Sequence, residues 1–473
     1  MKPGSATKIR GGVTAVTVLA LGLLIGSASA EPIYQGRLAD LKVVPYPHLG
    51  LSFPGGSPEV YYVMSDAGLG VARLSIGWKY LEPEAGRYSW HGLDARVLEL
   101  QMLGIEPFLT FESDAPWAVR EETRSLTNGT PKDIGTWVRL VRAVVERYDA
   151  DGRDDVPRLL RPVRFYQVAN EWVRAENPGG GWGGTTAELI EFINATYDAV
   201  KAQQPDAIFV LGGLSSGVAD ALVLYDGRAD YDLVSRSSAW RRPKIYTPEE
   251  IRNDPEIAAI ANGRLEPVFD QARYDMADVH LYGPVDRDPV RIAAVRDRSK
   301  GRPLVTSECG GPSLSYVDRY RPEDHFMAVV DRNLTILSEG LRFCLWFRLG
   351  TAAGSTYANS QTALFDARRR PKPGYYAYKL LAAVSDAAVR VERLPGAHRF
   401  LIHRTGRGPL LMAWSDAGEN VSLPSGASGD VLKVTDPVAG IYEIAPLANA
   451  TEVRLDRWPV VIGDLPTAVY QSP

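Results

Sequence analysis

Eight short apolar runs, separated by longer amphipathic stretches, constrain the fold of this chain more than any other feature of its sequence. Each run is nearly continuous in apolar residues rather than alternating, as expected for strands that are covered on both faces. The runs are HLGLSF (48–53), VARLSI (71–76), EPFLTF (106–111), VRFYQVAN (163–170), AIFVLGG (207–213), MADVHL (276–281), PLVTSE (303–308) and FCLWF (343–347). Strands of this kind predict a parallel sheet with helices on both sides.

Helical patterns of apolar residues lie between these runs, over residues 94–104, 133–148, 185–204 and 324–340. The third pattern starts at Thr185 with Glu188 beyond it, which resembles a capping box. Strand followed by helix, repeated eight times over roughly 340 residues, predicts a (β/α)8 barrel. A doubly wound sheet would alternate in the same way, but no Gly-rich phosphate loop follows the first run.

Two further features set the predicted domain organisation. The long connection over residues 214–275 contains TPEEIRNDPEIAAIANG (247–263), which predicts an extra helix in a lid or rim insertion. From about Ala388 the chain changes to short strands separated by turns, which predicts a small all-β domain. We therefore predict a (β/α)8 catalytic barrel over residues 31–386, followed by a small β-sandwich domain over residues 387–473.

The first 30 residues have the pattern of a secretory signal peptide. Three basic residues precede an apolar run over 13–25, and Ala28-Ser29-Ala30 is a small-residue cleavage site. The apolar run is short for a membrane span, which needs about 20 residues. Residues 1–30 therefore predict a signal peptide cleaved after Ala30 and a secreted or periplasmic protein, with an uncleaved N-terminal anchor as the alternative.

Composition excludes several classes of partner. The formal net charge is −4 and 23% of the residues are charged, so neither a basic face for nucleic acid nor an acidic tail is indicated. There is no C-x-x-C and no H-E-x-x-H motif, and the six His are scattered, so we predict no metal and no cofactor. Cys309 and Cys344 are the two cysteines, and the sequence leaves open whether they are bonded. It also leaves the oligomeric state open.

Polar residues stand at the ends of the apolar runs, where barrels of this kind carry their reacting groups. They are Arg73 and Trp78 after the second run, Glu112, Asp114 and Trp117 after the third, Asn170 and Glu171 after the fourth, His280 and Tyr282 after the sixth, Glu308 after the seventh, and Trp346 and Arg348 at the eighth. Solvated residues scattered at random would not align with the strand ends in this way.

Glu171 and Glu308 stand out because the fourth and seventh strands lie across a closed barrel from each other. Cleavage of a glycosidic bond needs one carboxyl group to protonate the leaving oxygen and a second to attack the anomeric carbon or activate water. A nucleophile–acid pair requires a separation of about 5–5.5 Å, which permits a covalent intermediate and retained configuration. The acid of the pair must also stay protonated, and we expect burial and the charge of Glu308 to raise the pKa of Glu171.

The ordered set of Asn-Glu after strand four, His-x-Tyr after strand six, Glu after strand seven and Trp on strand eight resembles the clan A retaining glycoside hydrolases. The segment VARLSIGWKYLEPEAGRYSW (71–90) is similar to the second strand of that clan, and ALFDARRRPKPGYYAYKLL (363–381) to its closing stretch. TFESDAPWA (110–118) resembles the third strand of families 39 and 42. The small β domain makes family 39 the best match, with families 5 and 42 as near alternatives, over about residues 46–465.

The resemblance implies roles for the matching residues. Glu171 is the general acid and then the general base, and Glu308 is the nucleophile. Asn170 contacts the 2-hydroxyl of the sugar, and Tyr282 donates a hydrogen bond to Glu308. Arg73 lies beneath Glu308 and lowers its pKa.

The remaining residues are assigned to the substrate pocket. His280 lines it, and Trp346 forms the floor under the ring at the cleavage point. Further candidate sugar contacts are Trp78, Trp117, Trp172 and Trp182, the last read as a mobile rim residue within NPGGGWGG (177–184). Any single Trp is more often packing than a sugar platform, and Glu112 and Asp114 are treated as binding or structural residues.

The predicted function is retaining hydrolysis of an oligo- or polysaccharide by double displacement, with a carbohydrate as the partner. Two alternatives share these residues. One is a catalytically inactive sugar-binding barrel, because a fold does not guarantee a function. The other is a transglycosylase acting on an exported polysaccharide. The sequence does not determine which sugar is cleaved, or whether cleavage is exo or endo.

Overall fold

The computed structural model describes residues 31–55, 57–174, 177, 180–235, 244–312, 320–350, 361–396, 398–424, 427–448 and 450–470. The predicted signal peptide, residues 1–30, lies outside the described residues, so its cleavage stays a prediction. No helix in these ranges combines the length and the apolar character that a membrane span requires.

Eight parallel strand positions, one of them occupied by an interrupted strand, form a closed barrel. Numbered in chain order, its strands are β2 (Tyr46–Ser52), β3 (Leu69–Gly77), β4 (Glu106–Glu112), β5 (Phe165–Val168), β6 (Ile208–Leu211), the interrupted pair β9 (Ala277–Asp278) and β10 (Leu281–Tyr282), β11 (Leu304–Gly310) and β12 (Cys344–Trp346). Strand β12 pairs with β2, and bridges from Val210 to Met276 and from Leu214 to Val279 join β6 to the β9–β10 position. The predicted (β/α)8 barrel is confirmed.

The helices surround the barrel in the predicted alternation. They are α1 (Pro58–Asp66), α2 (Trp78–Leu81), α3 (His91–Met102), α4 (Ile134–Tyr148), α5 (Thr186–Gln203), α6 (Ser216–Tyr225), α7 (Pro248–Asn253), α8 (Pro255–Ile260), α9 (Glu266–Gln271), α10 (Asp288–Arg298), α11 (Pro322–Ser338) and α12 (Pro373–Val384). The capping box expected at Thr185 is present, since its side chain accepts from the Glu188 amide and Glu188 binds back. Asp133 caps α4, since its side chain accepts from the amides of Gly135 and Thr136.

The interior of the barrel has two layers of different chemistry. The lower layer is an apolar cluster to which most strands contribute one side chain: Val71, Phe108, Phe165, Val210, Val305, Phe343 and Leu345. Two residues further along the same strands stand polar residues, namely Arg73, Thr110, Gln167 and Ser307, all fully buried. Because side chains repeat their direction every second residue along a strand, both sets point inward. The apolar layer thus closes the barrel beneath a polar layer.

The long connection between β6 and β9 does not contain the single helix predicted over residues 247–263. The chain there forms a hairpin of β7 (Leu233–Ser235) and β8 (Lys244–Tyr246), then α7, α8, a π-turn and α9. Helix α7 ends before Asp254, which caps α8 by accepting from the Glu256 amide, with Pro255 in the first turn. The residue before a proline is disfavoured in a helix, so the Asp-Pro step divides the predicted element.

The C-terminal region is antiparallel. Its strands are β1 (Tyr34–Arg37), β13 (Ala388–Arg393), β14 (Arg399–Arg404), β15 (Leu410–Ala413), β16 (Asn420–Ser422), β17 (Asp430–Asp436), β18 (Ile441–Pro446), β19 (Glu452–Arg454) and β20 (Val460–Gly463). A seven-stranded sheet has the order β1–β18–β17–β20–β15–β14–β13, and β16 pairs with β19 in a separate small sheet. An apolar cluster that includes Ala413, Val421, Val453 and Ile462 draws on both sheets.

Strand β1 belongs to this sheet although it precedes the barrel in the chain. The sequence assigned residues from 31 onward to the barrel, whereas the structure pairs β1 antiparallel with β18. Without β1, strand β18 would be an edge strand with unpaired amides and carbonyls. Strand β1 pairs with these groups. Tyr34 also contacts Tyr442 and Tyr470, with ring centroids 6.0 and 6.3 Å apart. The division of the chain into two domains otherwise stays a prediction.

The two cysteines form a disulfide. Cys309 on β11 and Cys344 on β12 are fully buried, and their Cα atoms lie 6.4 Å apart. The bond joins two neighbouring barrel strands directly after Glu308, so it restrains the strand that carries this glutamate.

We expect the disulfide to stabilise the chain by restricting its unfolded state. It closes a loop of 35 residues, for which the chain-entropy relation gives roughly 3–4 kcal/mol. Urea unfolding of the oxidised protein should therefore require more denaturant than unfolding in the presence of dithiothreitol. The variant Cys309→Ser/Cys344→Ser is the control, because the reductant should not change its midpoint. Equal midpoints for oxidised and reduced protein would contradict the expectation.

Candidate active site

The two predicted carboxylates meet at the carboxyl ends of the barrel strands. Glu308 lies on β11, and Glu171 lies three residues beyond the end of β5. One carboxylate oxygen of each, together with a ring nitrogen of His280, lie within 4.8 Å of one another. The carboxyl groups of a nucleophile–acid pair are about 5–5.5 Å apart, and an oxygen–oxygen distance below 4.8 Å is compatible with such a pair.

Glu308 is held by two side chains that the sequence had singled out. Nη1 of Arg73 donates to its Oε1 at 2.7 Å, and the hydroxyl of Tyr282 donates to its Oε2 at 3.0 Å. Burial, followed by the charge of Glu308, raises the pKa of Tyr282 well above its ordinary value, so the phenol keeps its proton. Both oxygens of Glu308 therefore accept hydrogen bonds, which orients the carboxylate.

Arg73 connects Glu308 to the rest of the polar layer. Its guanidinium is fully buried and also donates to Oδ1 of Asn170 at 2.6 Å and to Oε1 of Gln167 at 2.9 Å. Oγ1 of Thr110 and Oγ of Ser52 accept from it at 3.0 and 3.3 Å. Arg73 thus contacts Glu308, below which the sequence predicted it, and it also contacts Asn170.

Glu171 has different partners. Nδ1 of His280 lies 2.7 Å from its Oε1, and Nδ2 of Asn177 donates to its Oε2 at 2.5 Å. Burial alone would raise the pKa of Glu171, but the hydrogen bond and charge of His280 and the bond from Asn177 outweigh it and lower the pKa. The expectation that the surroundings raise the pKa of Glu171 is therefore wrong for the unliganded site.

The same surroundings favour a protonated His280. Burial lowers the pKa of this imidazole, but the charge of Glu308, the hydrogen bond to Glu171 and the charge of Asp278 raise it to about 10. The hydrogen bond between Glu171 and His280 gives the two side chains a direct route for proton transfer.

A second group of close acidic oxygens, from Asp149, Asp151 and Asp155, lies at the end of α4. Burial and the neighbouring acids raise the pKa of Asp149 to about 6. Its Oδ1 already accepts from the Asp151 amide at 3.3 Å. Acidic loops of this kind are common without an ion, so we assign it no role.

The tryptophans predicted as sugar contacts fall into two groups. Trp78, Trp172 and Trp182 are fully buried, which contradicts the prediction that they contact sugar and that Trp182 is a mobile rim residue. The reason is local packing: Trp182 stacks on Phe192 with ring centroids 5.0 Å apart and donates to the Thr185 carbonyl, while Trp78 packs edge-on against Trp137. Trp172 donates to the Gly212 carbonyl at 2.9 Å.

Of the other two candidates, Trp117 is partly exposed, whereas Trp346 is as fully buried as the first three. Trp117 is partly exposed, donates to the Glu82 carbonyl at 3.0 Å and packs edge-on against Trp78. Trp346 is buried at the end of β12 and is oriented by a hydrogen bond from its indole to the Thr362 carbonyl at 2.7 Å. The same burial argues against the prediction that Trp346 forms a floor under a bound ring.

The acids after β4 have structural partners. Asp114 is buried, forms an ion pair with Nζ of Lys79 at 3.0 Å and accepts from the Lys79 amide. Burial, partly offset by a hydrogen bond from Ser75, raises the pKa of Glu112. These contacts support the treatment of both acids as binding or structural residues.

Sequence reasoning missed several residues that position the site. Asn128 is fully buried, and its amide donates to the carbonyls of Asn170 at 2.7 Å and Gly181 at 2.9 Å. No sequence pattern marks Asn128, because it lies in a loop. Asp278 was detectable, since it stands two residues before His280 and therefore on the same strand face.

Gly213 makes room for His280. A Cβ atom at Gly213 would lie 2.3 Å from Cδ2 and Nε2 of the imidazole and 2.8 Å from Oδ2 of Asp278. The backbone of residue 213 also binds the Glu171 amide through its carbonyl at 3.1 Å. A glycine therefore follows β6 at residue 213, so that the imidazole can lie against the main chain.

Comparison with known proteins gives a likeness of fold alone. No family model matches the sequence, and no curated protein matches it. A glucosidase from Croceicoccus marinus superposes with a TM-score of 0.57 at 13% identity, covering 92% of this chain and 97% of the glucosidase. A GH39 β-xylosidase from Caulobacter crescentus gives 0.54 at 15% identity, covering 89% and 97%. A GH39 enzyme from Xanthomonas axonopodis pv. citri gives 0.54 at 14% identity, covering 92% and 97%. The barrel and the C-terminal sheets thus have the architecture of solved family 39 structures.

We expect Gly213→Ala to destabilise the protein, because the added methyl group must displace the imidazole or the main chain. Overpacking of this kind lowers the free energy of unfolding by about 1–3 kcal/mol. The matched control is Gly217→Ala in α6, where a Cβ would meet nothing within 4 Å; its stability should be unchanged or slightly raised. Urea unfolding of the three proteins measures the difference. Equal losses in both variants would refute the close approach at Gly213.

Proposed function

We propose that this chain is a retaining glycoside hydrolase that uses Glu308 as the nucleophile and Glu171 as the acid and base. The observation that carries the proposal is the meeting of these two carboxylates within 4.8 Å at the carboxyl ends of the barrel strands. Their surroundings differ as the two roles require. Glu308 is bound by an arginine that cannot lose its proton, whereas Glu171 is bound by an imidazole that can.

In the first step an oxygen of Glu308 attacks the anomeric carbon while Glu171 protonates the departing oxygen. Arg73 and Tyr282 hold the attacking carboxylate in a fixed orientation, so little reorganisation is needed when its charge is lost. In the second step Glu171 takes a proton from water, which attacks the same carbon and releases Glu308. Asn170 is held by Arg73 next to this position, as a contact to the 2-hydroxyl requires.

The substrate and location form part of the proposal. The signal pattern of residues 1–30 supports a secreted or periplasmic enzyme. The fold is shared with proteins described as a glucosidase and a β-xylosidase, which supports glucosides and xylosides as the first compounds to assay. We propose an oligo- or polysaccharide as the physiological substrate.

Replacement of either carboxylate should abolish turnover of aryl glycosides. We expect Glu308→Ala and Glu171→Ala to lower kcat at least about 1,000-fold, because nucleophilic and general acid–base catalysis are each lost. Azide should restore turnover by Glu171→Ala on substrates with good leaving groups. This small anion can replace water as the attacking group without the help of a general base. Glu106→Gln is the control: Glu106 is a buried strand carboxylate paired with Arg164 at the other end of the barrel. Full activity of Glu308→Ala would refute the assignment.

The configuration of the first product tests the mechanism separately. Double displacement at a pair this close should release a sugar with the anomeric configuration of the substrate. Proton NMR of the anomeric signal during the first minutes of hydrolysis measures it. An inverted product would contradict double displacement, and product chains longer than the substrate would indicate a transglycosylase. Glycan binding without turnover would support the inactive sugar-binding alternative.

A further inference from the structure

Asp278 is a buried carboxylate that the proposed mechanism does not yet use. It lies on β9, inside the barrel, and is only 2% exposed. Its Oδ2 accepts from Nε2 of Gln167 at 2.7 Å and from Oγ of Ser307 at 2.5 Å, and its Oδ1 accepts from the Ser307 amide at 2.9 Å. Oδ2 also lies 3.7 Å from Nε2 of His280. The carboxylate therefore faces the imidazole on the side away from Glu171.

The imidazole of His280 is enclosed by charged groups from several strands. Glu171 lies 2.7 Å from Nδ1 after β5, and Glu308 lies 3.6 Å from Nδ1 on β11. Asp278 on β9 and Oγ of Ser307 on β11, 3.4 Å away, lie near Nε2. The remaining charged or titratable groups of the cluster are Arg73 on β3, which reaches Asp278 through Gln167, and Tyr282 on β10, which binds Glu308. The ring thus lies between Glu171 and Asp278.

The charges of this cluster require one retained proton. Three carboxylates, Glu171, Glu308 and Asp278, share the buried site with one permanent cation, Arg73. Leaving three such charges against one would be costly in a buried environment. A proton placed on His280, or on Glu171 after transfer along their hydrogen bond, reduces this excess equally. The pair therefore holds one mobile proton, and Asp278 contributes charge that retains it.

We propose that Asp278 is a positioning residue. It keeps a proton on the His280 imidazole, and Glu171 delivers this proton to the leaving group. The inference rests on the proposed glycosidase function. It goes further because it assigns the source of the proton to the imidazole and a role to a carboxylate that touches neither substrate nor the reacting carbon.

The proton and electrons balance over both steps. When the bond from the anomeric carbon to the leaving oxygen breaks, its electron pair stays on that oxygen. The oxygen takes from Glu171 the one proton that His280 has passed to it from Nδ1 along their hydrogen bond, so the first step leaves Glu171 as a carboxylate and His280 neutral. Glu308 becomes an ester and loses its charge at the same time. Water then bonds to the carbon, its proton passes to Glu171 and on to His280, and the released Glu308 is a carboxylate again.

The ionisation of the groups supports this route. Burial alone would raise the pKa of Asp278, but the charges of His280 and Arg73 and the hydrogen bond from Ser307 outweigh it and lower the pKa. Asp278 is therefore charged near neutral pH. The charge of Asp278 is among the causes that raise the pKa of His280 to about 10, after that of Glu308. Removal of the Asp278 charge must lower the pKa of His280. Activity should therefore be lost at a lower pH than in the wild-type enzyme.

The test is the pH dependence of kcat/KM for Asp278→Asn on aryl glycosides. The substitution keeps the shape of the side chain and removes its charge. We expect the limb on which activity falls with rising pH to move down by about 1–2 pH units. We also expect a larger loss on substrates with poor leaving groups, which depend more on protonation, than on nitrophenyl glycosides. Glu106→Gln, a buried strand carboxylate remote from the site, should keep the wild-type limb and the wild-type dependence on leaving group.

A second measurement does not depend on the variant or on turnover. Nitrogen-15 NMR of histidine-labelled wild-type protein, with His280 assigned by comparison with His280→Gln, reports the protonation of this ring. We expect both ring nitrogens to be protonated at pH 8. A neutral His280 at pH 8, or an active Asp278→Asn enzyme with the wild-type limb, would overturn the inference. Absence of turnover by wild type, with a protonated His280, would instead refute the glycosidase function.

Discussion

The buried guanidinium of Arg73 is the interaction on which the polar layer of the barrel depends. Its hydrogen bonds reach Ser52 on β2, Thr110 on β4, Gln167 on β5, Asn170 just beyond β5, and Glu308 on β11. A buried arginine cannot be neutralised, so each acceptor must lie where the fork of the guanidinium points. The guanidinium carbon also lies over the ring of Phe53, 4.5 Å from the ring centroid. The positions of the strand ends, and with them of both glutamates, follow from satisfying this one cation.

The turn that carries Glu171 is the most strained part of the site. Ala169 and Glu171 have φ values of 66° and 45°, a region that residues other than glycine rarely adopt. Asn128 binds the Asn170 carbonyl between them, and the Gly213 carbonyl binds the Glu171 amide. Strain of this kind persists only where the surroundings hold it, and it is common at functional sites. Gly212, which follows β6, leaves room for the same turn, because a Cβ at this residue would lie 1.9 Å from the Ala169 carbonyl oxygen.

The barrel was predictable because its signals are local. Runs such as VARLSI and EPFLTF are apolar on both faces, and strand β4 ends at Glu112, where its apolar run gives way to polar residues. The glutamate pair was predictable for the same reason: each acid stands where an apolar strand ends. Tertiary packing overruled local signals elsewhere. Trp182 lies in a glycine-rich stretch that suggests exposure, yet Phe192 on α5 and the Thr185 carbonyl bury it. Strand β1 is too short to indicate its partner, and only the open edge of β18 decides it.

The sequence by itself determined the architecture, because this follows from periodicity along single strands. It singled out the two facing acids by their places at strand ends and by the family resemblance. The tertiary structure alone decided the protonation of the site. Whether Glu171 or His280 holds the proton depends on Glu308, Asp278 and Asn177, which come from different parts of the chain and act across a few ångströms. Electrostatic energy falls with distance in space and not along the chain. A charge balance built from several strands therefore exists only once the barrel has closed around Arg73.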